Sequence, residues 1–514
     1  MLNALGREIP EAAGCTLVPF GGALAARTNG LRQGCARPVK AVRPGENKVL
    51  ASLEDAFRTI GVRDGMTLSF HHHLRNGDRV INRVLDVAAR LGLRDLTVAS
   101  SGFFPVHAPL VEYIRAGVVT GLDCDGLNGP LAQAVSAGML KRPVMLRSHG
   151  GRARAIETGE LAIDVAFIAA PAADDYGNLT GQVGPTACGS LGYAFPDSDC
   201  ADVVVAVTDN LQPYPLTPIS IPQTRVDYVV VVDSIGDPAG IAFGSTQMTR
   251  NPMDHVIARS AAQVIQAAGL LKDGFAFQTG AGGASLATAS YVRQAMRAAK
   301  VRGSFALGGI TSYLVEMLDE GLFRTLFDVQ SFDLGAVQSV ARNAGRHLEV
   351  GASFYASPFN CGAAVNRLDA TVLGATEIDL GFNANVATAS NGMILSGVGG
   401  HCDSAAGAKV SIIVAKLMRK RLPIVVERVL TATTPGETID VLVTERGVAV
   451  NPRRPDLVER LRDGGVAVQS IEELHRTALK LTGTPAPVVV KDKVVALVEY
   501  RDGTIIDVIR QSLP

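Results

Sequence analysis

The chain has 514 residues, 47% of them hydrophobic and 19% charged, a balance that implies two or three folded domains and argues against long disorder. Lys plus Arg equals Asp plus Glu at 49 each, and aromatics are only 5%, so neither a nucleic-acid binder nor a protein held by charge to an anionic membrane is expected. Seven cysteines (Cys15, Cys35, Cys124, Cys188, Cys200, Cys361, Cys402) are scattered without a C-x-x-C pair, which excludes a disulfide framework or a structural zinc site and suits reduced thiols in a cytoplasmic enzyme.

Residues 1–45 are rich in Gly, Pro and Arg without a sustained period and read as an extended arm. Order begins near residue 48. "ASLEDAFRTIG" places Leu53, Ala56, Phe57 and Ile60 on one helical face, with Ser52 and Asp55 as the start signal and Gly61 as the stop. Strands follow at 66–70, 96–100, 118–122, 143–147, 163–170, 202–208 and 227–233. They are apolar throughout rather than alternating, so they belong in a parallel sheet buried on both faces and flanked by helices. The Gly- and Pro-containing stretch 234–252 is the best boundary. A second α/β series then opens with a helix at 253–270 and strands into 277–285, 304–311, 369–374, 408–415 and 438–450. A capping box runs from Ser470 to Glu473, and a hairpin turning at Asp502–Gly503 ends the chain. The expected architecture is two α/β domains with mostly parallel sheets, at 46–245 and 246–514, and a ligand cleft between them.

Five segments carry chemistry. "FQTGAGGAS" (277–285) is a glycine loop between strand and helix, where backbone N–H groups can approach an anion or oxyanion. Ser285 stands where a dinucleotide fingerprint needs its third glycine, and no acid occurs from 284 to 315. An NAD site is therefore disfavoured, and only an NADP reading through Arg302 stays open. "LSGVGGHCD" (395–403) is a second such loop, and the pair suggests one long anionic ligand with a narrow arm. "GATEIDLGFNANV" (374–386) sets Glu377 and Asp379 on one face of an extended segment, where a carboxylate beside a glycine loop can serve as nucleophile or base. "FHHHLRNGD" (70–78) and "RSHGGRAR" (147–154) each follow a strand and bring His71, His72, His73, Arg75, Arg147, His149, Arg152 and Arg154 to the edge where parallel-sheet sites form. No second cluster has metal-ligand spacing, so a polycarboxylate is expected there rather than a metal.

Read in order, "SFHHHLRNGD", "SHGGR", "CGSLGYA", "FQTGAGGASLA", "FALGGIT", "DVQSFD", "EIDLGFNANV", "SGVGGHCD" and "LVTERGVAVNPRRPDL" resemble the citrate lyase alpha-subunit family from about residue 48 to the end. More distantly, the second half is similar to acetate and 4-hydroxybutyrate CoA-transferases, whose active-site acid falls on Glu377 and whose following glycines fall on Gly397, Gly399 and Gly400. The resemblance implies two CoA-transferase-type α/β domains. It implies exchange of the acetyl group of an acetyl-S-acyl carrier protein for citrate. No permanently bound cofactor is implied, since the carrier's CoA-like prosthetic group, or acetyl-CoA in its place, supplies the thiol. The expected partners are a carrier-protein gamma subunit and a citryl-cleaving beta subunit in a hetero-oligomer.

On that reading His71, His72, Arg75 and Arg152 hold citrate, and Gly280, Gly282, Gly283, Gly397, Gly399 and Gly400 hold the thioester and its arm. Glu377 contacts the thioester without itself becoming acylated. The alternatives are a free-standing CoA-transferase for another di- or tricarboxylic acid and a non-catalytic subunit that docks the carrier.

Overall fold

The computed structural model describes residues 42–243, 248–280 and 282–512. Most of the expected 1–45 arm therefore lies outside the described residues. The first lobe is built on strands β1 (Val49–Leu50), β2 (Thr67–Phe70), β3 (Leu96–Ser100), β4 (Val119–Cys124), β5 (Val144–Leu146), β6 (Val165–Ala170), β7 (Val203–Thr208) and β8 (Tyr228–Val231). The second sheet takes β9 (Ala276–Thr279), β10 (Gly303–Ile310), β11 (Phe323–Ser331), β12 (His347–Glu349) and β13 (Ala370–Gly374). A short strand β14 (Glu377–Asp379) branches off into a small sheet of its own. The second sheet then continues with β15 (Val410–Val414), β16 (Val441–Thr444), β17 (Gly447–Val450) and β18 (Val468–Gln469). The chain closes on a hairpin of β19 (Val490–Glu499) and β20 (Ile505–Ser512).

The larger sheet runs β1-β8-β7-β6-β2-β3-β4-β5-β19-β20 and the other β12-β11-β10-β9-β13-β15-β16-β17-β18. Pairing is parallel except at the two hairpins, β16–β17 and β19–β20. The strands are apolar on both sides because helices cover both faces. Phe57 of the first helix, α1 (Leu53–Ile60), stacks on Phe167 of β6 at 5.8 Å, and Phe70 of β2 meets the same ring at 5.8 Å. That helix starts and stops as its sequence predicts. The Ser52 hydroxyl accepts the Asp55 N–H at 3.0 Å, and Gly61 turns left-handed at φ 76°.

The chain's end departs from the expected 246–514 domain. The hairpin β19–β20 leaves the second lobe and extends the first sheet, with Ala496, Leu497 and Val498 in register with Val144, Met145 and Leu146. Without it, β5 would be an open, fully apolar edge. Charge fixes the docking, since Glu499 meets the guanidinium of Arg147 and, at 2.9 Å, that of Arg154. The segment 438–450, expected as one strand, is the antiparallel pair β16–β17 turning at Glu445–Arg446.

Candidate functional site

At the carboxyl edge of the first sheet, Phe70, Ser100, Cys124 and Leu146 stand in one cross-strand row. The residues that follow them, His71–Arg75, Ser101, Asp125 and Arg147–His149, therefore emerge side by side. The His72 N–H donates to the Ser101 hydroxyl at 3.1 Å, and His72 Nδ1 lies 2.7 Å from the same oxygen. Its ring stacks on Tyr193 at 4.9 Å, with His149 6.0 Å away. His149 opens the helix α2 (His149–Glu157), rests 4.5 Å from Tyr193, and pairs through Nδ1 with the Asp125 carboxylate.

His71 and His73 are buried with their rings 5.6 Å apart, and all four of their nitrogens lack a hydrogen-bond partner among the described residues. Unpaired buried donors and acceptors are costly, so two orphaned rings at one strand end mark a place built to receive something polar. Burial pushes His71 down to about 4, against the opposing pull of Asp197, and pushes His72 and His73 well below the ordinary histidine range. The rings are neutral near pH 7. Arg75 adopts φ 52° and lies between the rings of Phe104 (4.8 Å) and Phe332 (5.3 Å). Burial lowers it to about 10, which leaves it charged at neutral pH.

The other expected cations are already committed. Arg152 is a correction to the sequence reading. Its guanidinium is buried, donates to both Asp197 oxygens at 2.9 Å, and reaches the Ser69 hydroxyl at 2.8 Å. Arg147 grips Asp123 and Glu499, and Arg154 grips Glu160 and Glu499. Arg154 is fully buried, and of its two acids Glu160 is at the surface and Glu499 is buried. The glycines of "SHGGR" have a packing purpose. A side chain on Gly150 would come within 2.2 Å of the Ala356 carbonyl, and one on Gly151 within 2.9 Å of the Ser148 hydroxyl.

In the second lobe, Thr279, Gly374 and Val414 end adjacent parallel strands. The first glycine loop leaves β9 at Gly280, whose N–H donates to the Val372 carbonyl at 2.7 Å. Gly282, at φ 135°, caps the helix Gly283–Ala299, and Gly283 packs on Thr249. That helix's first-turn N–H groups have no intrahelical acceptor, and beside them the buried Thr279 and Ser285 hydroxyls have no partner among the described residues. Three residues beyond the end of β13, Glu377 is buried. Its Oε2 accepts from Asn385 Nδ2 at 3.1 Å and from the Leu430 N–H at 3.4 Å. Asp379 instead organises a turn, accepting from the Gly381 and Asn383 N–H groups at 2.9 Å.

The second glycine loop joins the lobes. Gly397 lies against Asp125 and Gly126 so closely that a Cβ would sit 1.8 Å from the Asp125 carbonyl. Gly400 is similarly closed off by the Tyr355 hydroxyl at 2.4 Å from a Cβ position. Of the expected arm-binding set, Gly397 is therefore a joint packed on the Asp125–Gly126 backbone, and Gly400 is packed against the Tyr355 side chain. Gly399 differs. It is left-handed at φ 53°, its carbonyl accepts the His149 N–H at 3.0 Å, and the nearest atom to a Cβ there is His149 Nε2 at 3.7 Å. His401, next in the loop, donates through Nε2 to the Gly374 carbonyl at 3.0 Å and so ties the loop to the strand that leads to Glu377. Asp403 accepts from the Ser148 hydroxyl (3.0 Å) and the Gly150 N–H (2.8 Å). Gln330, at the end of β11, donates to the His72 carbonyl at 2.8 Å. Bonded contacts thus connect the histidine edge of one sheet to the second glycine loop and, through His401, to the strand of the other sheet that leads to Glu377.

Sequence reasoning did not single out Tyr193, Asp125, Ser101 or Asn385. Tyr193 and Asn385 sit inside motifs already quoted, but nothing local marks a tyrosine as the floor under two histidines. An open groove of about 670 Å³ lined by Ser52, Glu54, Arg83 and Arg90 contains none of these residues. Its charges are paired, Arg83 with Asp233 and Arg90 with Glu54, so it offers no comparable chemistry. Among the described residues no helix is long and apolar enough to cross a membrane.

The family model for citrate lyase, alpha subunit, matches residues 46–512. The citrate lyase alpha chain of Escherichia coli (strain K12) is 51% identical over 472 residues, 92% of each chain, and that of Klebsiella pneumoniae is 48% identical over 466 residues, 91% of this chain and 92% of the other. A crystal structure of the citrate lyase alpha subunit from Streptococcus mutans in complex with citrate superposes with a TM-score of 0.91 at 51% identity, over 93% of this chain and 94% of that one. The malonate decarboxylase alpha subunit from Acinetobacter baumannii shares the fold alone, with a TM-score of 0.63 at 15% identity over 84% and 89% of the two chains. The chain belongs to the citrate lyase alpha-subunit family.

Proposed function

We propose that this chain is the transferase component of citrate lyase, a citrate CoA-transferase that exchanges the acetyl group of an acetyl-S-acyl carrier protein for citrate and releases acetate. The family match over residues 46–512 carries the reading. The Streptococcus mutans relative, solved with citrate, supports citrate as the acid. The joining of the edge that carries the orphaned histidines and Arg75 to the second glycine loop, and through His401 to the strand that leads to the buried Glu377, supports acyl transfer at that junction.

On this reading Arg75, His71 and His72 receive citrate. A citrate carboxylate oxygen attacks the acetyl thioester carbonyl, forming a C–O bond as the C–S bond breaks and the carrier thiolate departs. The thiolate then attacks the citryl carbonyl of the resulting mixed anhydride, a new C–S bond forms, and acetate leaves with the electron pair of the broken C–O bond. Each step passes through an oxyanion, and the first-turn N–H groups at Gly282 and Gly283 and the loop at Gly399 are suited to receive it. Glu377, anchored by Asn385 and the Leu430 N–H, lies beside the thioester and polarises it without being acylated. The thiol belongs to the CoA-like prosthetic group of a carrier-protein gamma subunit, for which acetyl-CoA substitutes. A beta subunit that cleaves the citryl thioester completes the complex in the cytoplasm.

The test supplies purified chain with acetyl-CoA and isotopically labelled citrate. Citryl-CoA and acetate forming together in equal amounts is the expected result. Exchange with succinate or another acid but not with citrate would instead establish a free-standing CoA-transferase, and no exchange even with the authentic carrier would end the enzymatic reading.

A further inference from the structure

We propose that the Asp125–His149 pair is a specificity element that accepts a hydrogen bond from the hydroxyl of the bound acid, so that the site selects a hydroxylated tricarboxylate over its deoxy counterpart. The inference rests on the citrate reading above and deepens it.

Asp125 is buried, and its Oδ2 meets His149 Nδ1. A carboxylate only accepts, so Nδ1 carries the hydrogen and, in the neutral ring, Nε2 presents a lone pair. The ring cannot turn away. It lies tilted against Tyr193 at 4.5 Å, the residue's backbone N–H is bonded to the Gly399 carbonyl at 3.0 Å, and His149 begins a helix whose cap Ser148 is bonded to Asp403. Among the described residues Nε2 has no hydrogen-bond partner, and it is not enclosed as the nitrogens of His71 and His73 are. The His149 side chain keeps 15% of its surface, and Nε2 points toward Gly399, where the missing side chain leaves room. With the ring neutral, a substrate that covers this fixed acceptor must give it a donor in place of water. The carboxylates of citrate offer none when ionised. Its tertiary hydroxyl does.

Propane-1,2,3-tricarboxylate, which is citrate without that hydroxyl, separates this element from one that merely reads charge. The measurement is kcat/KM for each acid with acetyl-CoA, using the full chain. Wild type should favour citrate, because the deoxy acid leaves Nε2 unpaired, and His149→Phe should reduce that preference by about tenfold while keeping the ring contact with Tyr193. Asp125→Asn/His149→Phe removes the carboxylate that the single variant strands, and it carries the test if His149→Phe alone does not fold. A loss that falls equally on both acids would overturn the proposal, since a general anion site or a structural role predicts it. An unchanged ratio would do the same. Wild type that transfers to neither acid would instead sink the citrate reading itself.

Discussion

Replacing Arg152 with methionine should unfold the first lobe's active edge rather than loosen substrate. The guanidinium makes two 2.9 Å bonds to Asp197 and a 2.8 Å bond to Ser69, and Asp197 is fully buried. Arg152→Met leaves that carboxylate charged and uncompensated, and breaking one half of a buried pair costs about 3–5 kcal/mol. Against a total stability on the order of 5–15 kcal/mol this is a large fraction. The urea midpoint should fall accordingly, and Arg152→Met/Asp197→Leu should recover more than half of the loss, because removing both charges removes most of the desolvation penalty. Ser69, left without its acceptor Asp197 and its donor Arg152, keeps the recovery incomplete.

The pH dependence has a definite sign. Burial would raise the Asp197 carboxyl, but Arg152, His71 and Ser69 outweigh burial and hold it below the ordinary carboxylate range. A depressed carboxyl stabilises the fold above its unfolded pKa of about 4 and loses that contribution as pH falls through the folded value. In Arg152→Met burial instead raises the Asp197 carboxyl, so the gap between wild type and variant should begin to narrow above pH 4 as pH falls, and should go on narrowing below it. An Arg152→Met protein with the wild-type urea midpoint and a raised KM for citrate would refute this reasoning and return Arg152 to the substrate.

Glu377→Gln should lower acetyl exchange about 10²- to 10⁴-fold, the range for a positioned carboxylate in acyl chemistry. Hydroxylamine treatment after acetyl-CoA should find no adduct on Glu377, and a modified Glu377 would show it to be acylated. Gly397→Ala should give insoluble or separated lobes, since its Cβ would overlap the Asp125 carbonyl. Gly399→Ala meets only the left-handed backbone cost of about 1–2 kcal/mol and should fold, with the two compared by expression yield and thermal unfolding. Burial pushes His401 down to about 4. Between pH 6.5 and 4 the unfolded chain takes up a proton that folded His401 refuses, so this site makes stability fall with acidification, by about 1.4 kcal/mol per pH unit. Urea titrations across that window should show a shallower slope for His401→Gln, and an unchanged slope would place the lost protons elsewhere.

The strand order within each half was legible because buried parallel strands have a plain signature, the unbroken apolar run. The carboxyl edges were legible for the same reason, as each chemical motif directly follows such a run. Long-range pairing was not. Nothing in "VVALVEYRDGTIIDVIR" distinguishes a hairpin that closes its own lobe from one that returns to Val144–Leu146, and the decisive contact is Glu499 with Arg147 and Arg154, some 350 residues back in sequence. Charge was misread for a related cause. Arg147, Arg152 and Arg154 look like ligands for an anion until their acids are seen, and two of those, Asp197 and Glu499, come from a separate helix and from the closing hairpin. Glycine was half legible. The loops are where the sequence puts them, yet Gly397 and Gly400 answer to backbone and tyrosine neighbours in space.

With three arginines withdrawn into the fold, Arg75 is the cation left beside the histidine row. It is held between two aromatic rings, and the histidines around it are kept neutral by burial. A site of this kind does not match a polycarboxylate charge for charge. It relies on fixed neutral donors and acceptors, which discriminate by position more than by charge. On the proposed assignment, a dense cluster of cations would hold citrate's three carboxylates strongly but would also retain acetate through its one, slowing release of the smaller product. Neutral rings give acetate, which has one carboxylate and no hydroxyl, few bonds to keep it. The burial that depresses the histidines therefore favours an exchange in which one acid must stay and the other must leave.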